Sequence, residues 1–288
     1  MTVARSVDKL ERKPRAVAIG TFDGVHRGHR RVVETAAAAG LRTTAVTFDP
    51  HPRTILGNQV ELLSTIERRL ELLEEAGADD VLVLRFDEAL AALEPGEFVD
   101  QVLRAIGAEV VAAGEGFRFG RRRSGDLDLL AELGFDVQRV ALVEGASSSE
   151  IRALVRAGEL ERAAGLLGRP VEVEGTVVLG DQRGGTLGFP TANLDVPPDL
   201  LTPALGIYAG AALGCRAAVS IGTNPHYGGT ERRVEAHLLE FEGDLYGRRL
   251  VVELWERLRD ERAFADEAEL VAAIDDDVAR TRAAVRPV

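Results

Sequence analysis

The feature that most constrains this chain is the glycine-rich run at residues 20–29, Gly-Thr-Phe-Asp-Gly-Val-His-Arg-Gly-His. A short apolar run at residues 16–19 precedes it, and residues 30–39, rich in helix formers, follow it and end at Gly40. The pattern predicts a buried strand, a tight turn and a helix. Such a turn directs backbone N–H groups and a helix N-terminus at one point, and both favour an anion such as a phosphate.

Two histidines in this run, His26 and His29, are three residues apart, so both side chains can face one ligand at the helix start. Paired histidines can also be surface residues or metal ligands, but the sequence nearby lacks a cysteine, a third histidine or a set of carboxylates. The spacing resembles the HxGH signature of the nucleotidyltransferase superfamily, in which the imidazoles hold a triphosphate and stabilise charge as pyrophosphate leaves. The resemblance implies that His26 and His29 are catalytic. It also implies that the surrounding residues bind ATP phosphates: Gly20, Phe22, Asp23, Gly24 and Gly28.

The composition limits the class of protein. At 288 residues, with 45% hydrophobic and 28% charged residues, the chain has room for one large or two ordinary soluble domains. It has no apolar run approaching about 18 residues and only one cysteine, Cys215, and its N-terminus is charged. We therefore predict a cytoplasmic protein without a membrane span, secretory signal or intramolecular disulfide. The net charge of −12 argues against binding to nucleic acid or to anionic membranes.

The first half alternates predicted strands and helices, which indicates a doubly wound parallel sheet. The later predicted strands are residues 43–48, 81–84 and 109–113. One predicted helix begins at the capping box of residues 64–67, and another spans residues 96–106. Ligands bind such sheets beyond the carboxyl ends of the strands. Asp49 and His51 follow the second strand in a segment broken by prolines, and they are candidate binding residues, although a surface loop has the same composition.

Two more segments of the first half are suited to phosphate binding. Residues 114–126 interleave arginines, including Arg118, with glycines and aromatic residues, which suits phosphates, a stacked base, nucleic acid or a solvated loop. The position of this segment after a predicted strand favours a nucleotide. Ser148, Ser149 and Arg152 open another predicted helix and make a second phosphate-binding corner. Ordinary capping explains the serines but not Arg152.

The second half changes character near residue 168. Apolar residues alternate at period two in five segments, which predicts an antiparallel barrel, and a closing helix is predicted after them. The segments are residues 171–179, 207–212, 216–221, 233–239 and 249–256, and the helix is 266–280. We therefore expect an α/β domain at residues 1–165 and a β domain at residues 166–288.

Two features of the second half are suited to chemistry. The glycine-rich loop 180–193 can cover phosphates, and Thr191 and Asn193 at its end offer hard oxygen ligands for Mg²⁺. A hairpin loop is the alternative, although this loop is long for one. Strand alternation sets Glu235 and His237 on one face, so Glu235 is a candidate general base or else a solvent-facing glutamate.

These motifs, in this order, resemble the bacterial bifunctional riboflavin kinase/FAD synthetase family over essentially the whole chain. The matching blocks are GTFDGVHRGH, TFDPHP, GFRFGRRRSGD, SSSEIR, LLGRP, GDQRGGTLGFPTAN, GIYAG and EAHLLEFEGDLYG. The resemblance implies a C-terminal module that phosphorylates riboflavin to FMN with ATP and Mg²⁺. It also implies an N-terminal module that adenylylates FMN to FAD with ATP and releases pyrophosphate.

The resemblance implies roles for single residues as well. Glu235 is the base that takes the proton of the ribityl hydroxyl, and Thr191 and Asn193 organise Mg²⁺ and the phosphates. The further phosphate-binding positions are Arg118, Ser148, Ser149, Arg152, Gly180, Asp181, Gly188 and Pro190, and the flavin-binding positions are Asp49 and His51.

Two positions depart from the family pattern. Gly116 stands where family members usually have Asn or Asp, and Gly185 stands where a basic residue is usual. The first departure leaves open a riboflavin kinase with a silent N-terminal domain. A flavin-binding regulator without turnover is disfavoured because the candidate catalytic residues are retained. A cytidylyltransferase acting on a phospho-alcohol agrees with HxGH but not with the second half.

Overall fold

The protein is described by a computed structural model that covers residues 1–141, 143–180, 188–223 and 232–288. These residues form two compact units, residues 1–62 with 66–148 and residues 63–65 with 149–288. The first unit is α/β and the second is mainly β, which confirms the predicted fold class. No helix in the described ranges combines the length and the hydrophobicity needed to cross a bilayer.

Six strands form the sheet of the first unit: β1 (Thr2–Ala4), β2 (Arg15–Ile19), β3 (Arg42–Asp49), β4 (Asp80–Arg85), β5 (Ala108–Gly114) and β6 (Asp136–Val140). Their order is β1-β4-β3-β2-β5-β6, and every neighbouring pair is parallel. The predicted parallel sheet is confirmed. The sequence does not predict β1 and β6, because a three-residue strand and a polar strand at the two sheet edges give weak apolar patterns.

The helices are α1 (Arg27–Ala37), α2 (Pro52–Ile55), α3 (Ile66–Glu75), α4 (Glu88–Ala92), α5 (Pro95–Phe98), α6 (Leu127–Glu132), α7 (Ser148–Ala157), α8 (Leu160–Leu167) and α9 (Glu267–Ala283). A π-helical segment, Val99–Arg104, continues α5, and short 3₁₀ segments lie at Val7–Lys9 and Arg121–Arg123. The helix predicted at residues 30–39 begins earlier, at Arg27, because the side chain of His26 caps it. The helix predicted at residues 96–106 is α5 with the π-helical segment, and it begins at a proline, whose fixed φ suits a first helical position.

Both faces of the sheet are covered, so its inner strands, such as β2, are buried on two sides. Along β2, Ala16 and Ala18 pack in a hydrophobic cluster with residues of α1 and α3. Val17 and Ile19 pack in a second cluster with residues of α5, the π-helical segment and α6. Burial on both faces accounts for the continuous apolar runs that predict these strands.

A buried ion pair ties the central strands together. The Asp80 carboxylate accepts from Arg15 Nη1 at 2.5 Å and from Arg42 Nε at 2.6 Å, and Arg15 also donates to Thr44 Oγ1 at 2.8 Å. Arg15 is 1% exposed and Asp80 is 2% exposed. Burial raises the pKa of Asp80, but the hydrogen bonds from Arg42 and Arg15 outweigh burial and lower the pKa well below its usual range.

Six further strands form the second unit: β7 (Val171–Val178), β8 (Ala192–Asp195), β9 (Gly206–Ala212), β10 (Cys215–Thr223), β11 (Arg232–Leu238) and β12 (Arg249–Arg259). They close a barrel in the order β10-β11-β8-β7-β12-β9, with every pair antiparallel. The predicted barrel and closing helix are confirmed, and α9 packs on β9 and β10. The sequence does not predict β8, which begins in the last two residues of the glycine-rich loop and completes the barrel between β7 and β11.

Candidate active sites

The histidine turn, residues 20–29, leaves the carboxyl end of β2 and enters α1. Phe22 has a φ of 52° and Gly24 a φ of 77°, and the N–H of Gly20 donates to a carbonyl of β3 at 3.1 Å. A bulky residue holds a positive φ only where packing over-determines it. Phe22 is fully buried, and its ring meets the His29 ring edge-on, with centroids 5.3 Å apart. The turn is therefore held by its own aromatic residue as well as by its glycines.

His26 caps α1 through its side chain. Its Nδ1 accepts a hydrogen bond from the backbone N–H of His29 at 3.3 Å, and the two rings stack with centroids 3.6 Å apart and planes inclined by 16°. Because Nδ1 of His26 is an acceptor, the neutral ring carries its proton on Nε2, which makes Nε2–H a donor for an anion. A Cβ at Gly28 would lie 3.1 Å from the His26 ring, so the glycine allows the ring to lie this close to the helix.

His29 is held neutral. Burial, followed by the charges of His26 and Arg69, lowers the pKa of His29 well below its ordinary value. Its buried Nδ1 has no hydrogen-bond partner among the described residues. Two stacked imidazoles cannot both be charged without a large electrostatic penalty. The turn therefore offers an anion an uncharged His29 ring, the His26 ring and helix-terminal amides.

Ser148 is the predicted phosphate ligand that the structure brings to the histidine turn. Its hydroxyl donates to the backbone carbonyl of Asp23 at 3.1 Å, and Asp23 itself is fully buried. Ser149 and Arg152 lie farther along α7, in the second unit, and Arg152 is buried there. The phosphate roles of Ser149 and Arg152 stay predictions.

The predicted flavin-binding residues lie at the carboxyl end of β3, beside that of β2. Asp49 is half-buried, with its carboxylate 3.9 Å from Arg5 Nη1. His51 is buried and caps α2, because its Nδ1 accepts from the N–H of Arg53 at 3.2 Å. This edge of the sheet is where parallel α/β folds bind ligands. The contacts give His51 a capping role, and flavin binding by either residue stays a prediction.

The arginine-rich segment after β5 is exposed. Arg118 Nη1 lies 3.5 Å from the Asp126 carboxylate, and the phosphate role of Arg118 stays a prediction. Gly116 is also exposed, and a Cβ there would meet no atom within 4 Å. The described structure therefore gives no steric reason for glycine at this departure from the family pattern.

Arg69 belongs to this region, although the sequence analysis does not single it out. Its side chain is 1% exposed, Nη1 donates to the carbonyl of Phe48 at 3.0 Å, and Nε has no hydrogen-bond partner among the described residues. Burial lowers the pKa of Arg69, and the carboxylates of Asp23 and Asp49 act in the opposite direction. A buried cation therefore acts on both carboxylates and on His29. Its signal in the sequence is a charged residue within the apolar stripe of α3.

The barrel cluster consists of Thr191, Asn193, Arg233 and Glu235. The register of β8 and β11 places Asn193 directly opposite Glu235. The hydroxyl of Thr191 donates to Oε2 of Glu235 at 3.2 Å. Nε of Arg233 lies 2.8 Å from Oε1 of Glu235 and donates to Oδ1 of Asn193 at 3.0 Å. The structure brings the candidate base and both candidate metal ligands together, and it adds Arg233, which the sequence analysis does not name.

The ends of the glycine-rich loop lie against this cluster. A Cβ at Gly180 would overlap the side-chain amide of Asn193, so only glycine fits there. The carbonyl of Pro190 accepts from Nδ1 of His237 at 2.7 Å, and Gly188 has a φ of 88°. The loop ends thus shape the cluster through backbone rather than through charged side chains.

The oxygen donors of the barrel cluster suit Mg²⁺. Hydroxyl, amide and carboxylate oxygens are hard ligands, and Mg²⁺ keeps several waters and binds nucleotide phosphates, so it needs few protein ligands. In the described part of the chain, no group of three or more His, Cys, Asp or Glu side chains is placed to hold a metal ion. The predicted ligand Asp181 and the departure at Gly185 lie outside the described residues.

Each half of the chain matches a known protein family. The FAD synthetase model matches residues 8–151, and the riboflavin kinase model matches residues 167–285. The parallel-sheet unit with its histidine turn and the barrel with its cluster therefore define a two-part transferase.

Relatives match both parts together. The chain is 36% identical to the bifunctional riboflavin kinase/FMN adenylyltransferase of Listeria monocytogenes, over 93% of this chain and 92% of that protein. It is 35% identical to the protein of the same name from Escherichia coli K12, over 96% of each chain. A solved structure described as a macrolide-efflux protein from Streptococcus pneumoniae matches with a TM-score of 0.86 at 29% identity, over 97% of this chain and 98% of that one. The chain belongs to the bifunctional riboflavin kinase/FMN adenylyltransferase family, and the family and activities predicted from its sequence are confirmed.

Proposed function

We propose that this protein converts riboflavin to FMN at the barrel cluster and FMN to FAD at the histidine turn, with ATP as co-substrate of both reactions. The observation that supports the proposal is that each unit holds its own set of groups for phosphate chemistry. The barrel has a carboxylate beside hard oxygen ligands, and the parallel-sheet unit has two imidazole rings at a helix N-terminus. The product of the first reaction is the substrate of the second.

At the barrel cluster, we assign proton removal to Glu235. Its carboxylate takes the proton of the ribityl hydroxyl as that oxygen bonds to the γ-phosphorus of ATP and the bond to ADP breaks. The Thr191 hydroxyl, 3.2 Å from Oε2, orients the carboxylate. Thr191 and Asn193 are the residues that would hold Mg²⁺, which when bound neutralises charge on the phosphates.

At the histidine turn, an oxygen of the FMN phosphate bonds to the α-phosphorus of ATP, and the bond to the β-phosphate oxygen breaks, so pyrophosphate leaves. Nε2–H of His26, the ring of His29 and the amides at the start of α1 stabilise the charge that develops. Ser148 is anchored by its bond to Asp23 and assists in holding the phosphates, together with Ser149 and Arg152.

The remaining assignments complete the proposal. Further phosphate contacts come from Arg118, Gly180, Asp181, Gly188 and Pro190, and flavin contacts come from Asp49 and His51. The protein works in the cytoplasm on small molecules, without nucleic acid or membrane partners. We divide the domains at residues 165 and 166; for comparison, the compact units divide between residues 148 and 149, and the family matches end at 151 and begin at 167.

A chromatographic product assay with two crossed variants tests these roles. Glu235→Gln should lower FMN formation from riboflavin by about 10²- to 10⁴-fold, the contribution of a general base, and leave FAD formation from supplied FMN unchanged. His29→Ala should lower FAD formation by about 10²-fold, the cost of losing one donor to a developing charge, and leave FMN formation unchanged. Undiminished FMN formation would remove Glu235 as the base, and undiminished FAD formation would remove His29 from the reaction.

The unsubstituted chain tests the alternatives in the same assay. FMN from riboflavin without FAD from either flavin would identify a kinase with a silent parallel-sheet unit, the alternative that Gly116 leaves open. Formation of neither product would favour a flavin-binding regulator.

A further inference from the structure

Arg233 places a positive charge on an oxygen that we assign to the metal ion and on the carboxylate that we assign as the base. One atom, Nε, lies 2.8 Å from Oε1 of Glu235 and 3.0 Å from Oδ1 of Asn193. The hydroxyl of Thr191 donates to the other carboxylate oxygen, Oε2. One proposed metal ligand, Asn193, and the proposed base, Glu235, are therefore already in contact with a cation of the chain itself.

The fold fixes one acceptor of this contact, Asn193, more firmly than it fixes the donor. Asn193 is 8% exposed, and its side chain lies against Gly180. Arg233 and Glu235, two residues apart on one face of β11, keep 26% and 28% of their side-chain surface exposed. An arginine stem is long and flexible, so the guanidinium can move into solvent while the strand stays in place.

Two simpler interpretations of Arg233, a surface ion pair and a ligand of ATP phosphates, do not explain both of its contacts. An exposed ion pair within one strand contributes little to stability, and it does not require the same Nε to bind Asn193 on the neighbouring strand. An arginine that only binds ATP phosphates would keep its charge uncompensated, whereas Arg233 contacts the carboxylate of the proposed base. A cation held between Glu235 and Asn193 accounts for both contacts.

We propose that Arg233 is an internal competitor of Mg²⁺ at the barrel cluster, and that metal binding displaces its guanidinium from Glu235 and Asn193. This inference rests on the proposed kinase site. A metal ion bound at Asn193 and the guanidinium of Arg233 repel each other strongly, so the guanidinium withdraws as the metal binds. Its withdrawal also frees Oε1 of Glu235 to accept the substrate proton. Arg233 therefore lowers the affinity for the metal and couples activation of the base to metal binding.

Direct metal binding tests the competition. Mn²⁺ is titrated into the full chain with ADP present, and the free ion is followed by electron paramagnetic resonance. Arg233→Gln should lower the Kd for Mn²⁺ by about five- to tenfold. The reason is that the metal no longer has to break the ion pair and the hydrogen bond of Arg233 when it binds. The Mg²⁺ concentration for half-maximal FMN formation should fall by a similar factor. The charge-matched control is Arg248→Gln, an exposed arginine just before β12, and it should change neither quantity.

A second variant separates this inference from the kinase site on which it rests. Thr191→Val removes a proposed metal ligand and keeps the side-chain shape, and it should weaken Mn²⁺ binding. If it does so while Arg233→Gln binds Mn²⁺ no more tightly than the unsubstituted chain, the metal site stands and the competition is wrong. If Thr191→Val leaves Mn²⁺ binding unchanged, the metal assignment itself is wrong, whatever the behaviour of Arg233→Gln.

Discussion

The histidine turn and the barrel cluster are both suited to phosphate chemistry, but they are built in opposite ways. The histidine turn takes its groups from ten consecutive residues and uses stacked imidazole rings at a helix N-terminus. The barrel cluster joins residues 40 to 44 positions apart, from β11 and from β8 and the residue before it, and it includes charged side chains. The histidine turn therefore depends on local backbone geometry, whereas the barrel cluster depends on strand register.

The largest effect we expect lies in the parallel sheet, at the buried ion pair of Asp80. Asp80→Asn removes the charge that Arg15 and Arg42 share and leaves Arg15 buried, so the free energy of unfolding of the first unit should fall by about 3–5 kcal/mol. Hydrogen exchange measured by mass spectrometry should show faster exchange in peptides from β2 and β4, with β8 and β11 unchanged. The matched control is Asp128→Asn, which removes an exposed ion pair with Arg139 and should change little. Unchanged protection of β2 and β4 would show that this ion pair does not stabilise the sheet.

The carboxylate of Asp80 also makes the stability of the parallel sheet sensitive to acid. Because the folded pKa of Asp80 is lowered, its contribution to stability is fully present above the pKa of an unfolded aspartate, about 4, and is lost as the pH falls towards the folded pKa. Protection of β2 and β4 should therefore decrease between about pH 4 and pH 2 in the unsubstituted chain, and this part of the decrease should be absent in Asp80→Asn.

A glycine in each site provides the next contrast. Gly180→Ala should displace the side chain of Asn193, because the new methyl group would overlap its amide. The strain of such overpacking is about 1–3 kcal/mol, so FMN formation should fall about 10- to 100-fold. FAD formation from supplied FMN should stay the same. Full FMN formation by this variant would show that the position of Asn193 is not critical.

Gly28→Ala is the corresponding change in the histidine turn, and its effect should be smaller. The new methyl group would lie 3.1 Å from the His26 ring, and a shift of a few tenths of an ångström relieves the contact. FAD formation should fall by about three- to tenfold, because a displaced ring donor stabilises the transition state less, by about 1 kcal/mol. The stability of the protein should stay the same or rise, because Ala favours a helix more than Gly does. A thermal melt with the product assay separates these two quantities. A loss of FAD formation that exceeds the loss of FMN formation in Gly180→Ala would reverse the contrast.

The sequence predicts the histidine turn well because all its determinants are contiguous. The strand at residues 16–19, the glycines and the two histidines define the turn without knowledge of any distant contact. The barrel is predicted as a class from alternation at period two. The sequence does not predict that Asn193 lies opposite Glu235. This pairing depends on the register of β8, a four-residue strand without an apolar pattern of its own.

The two arginines that the sequence analysis does not name were hidden for different reasons. Arg233 precedes Glu235 by two positions, so alternation puts both on one face, but the contact to Asn193 follows only from the closed barrel. Arg69 belongs to a helix whose charged residues mostly face solvent, and its burial follows from the packing of α3 against the sheet. A charged residue at a position of the apolar stripe is the signal that identifies such a case.

The smallest effect we expect concerns the charge state of His29, and Arg69 provides the test. Arg69→Met removes a buried cation that, after burial and His26, lowers the pKa of His29, so this pKa should rise, as followed by the NMR titration of His29 Cε1–H. A histidine whose folded pKa is lowered contributes stability that is present above the unfolded pKa, about 6.5, and is lost as the pH falls below it. Acidification from about pH 7 to pH 5 should therefore destabilise Arg69→Met less than the unsubstituted chain. Arg69→Lys keeps the charge and should keep the low pKa. An unchanged pKa in Arg69→Met would mean that burial and His26 alone hold His29 neutral, and that the turn does not depend on α3 for its charge state.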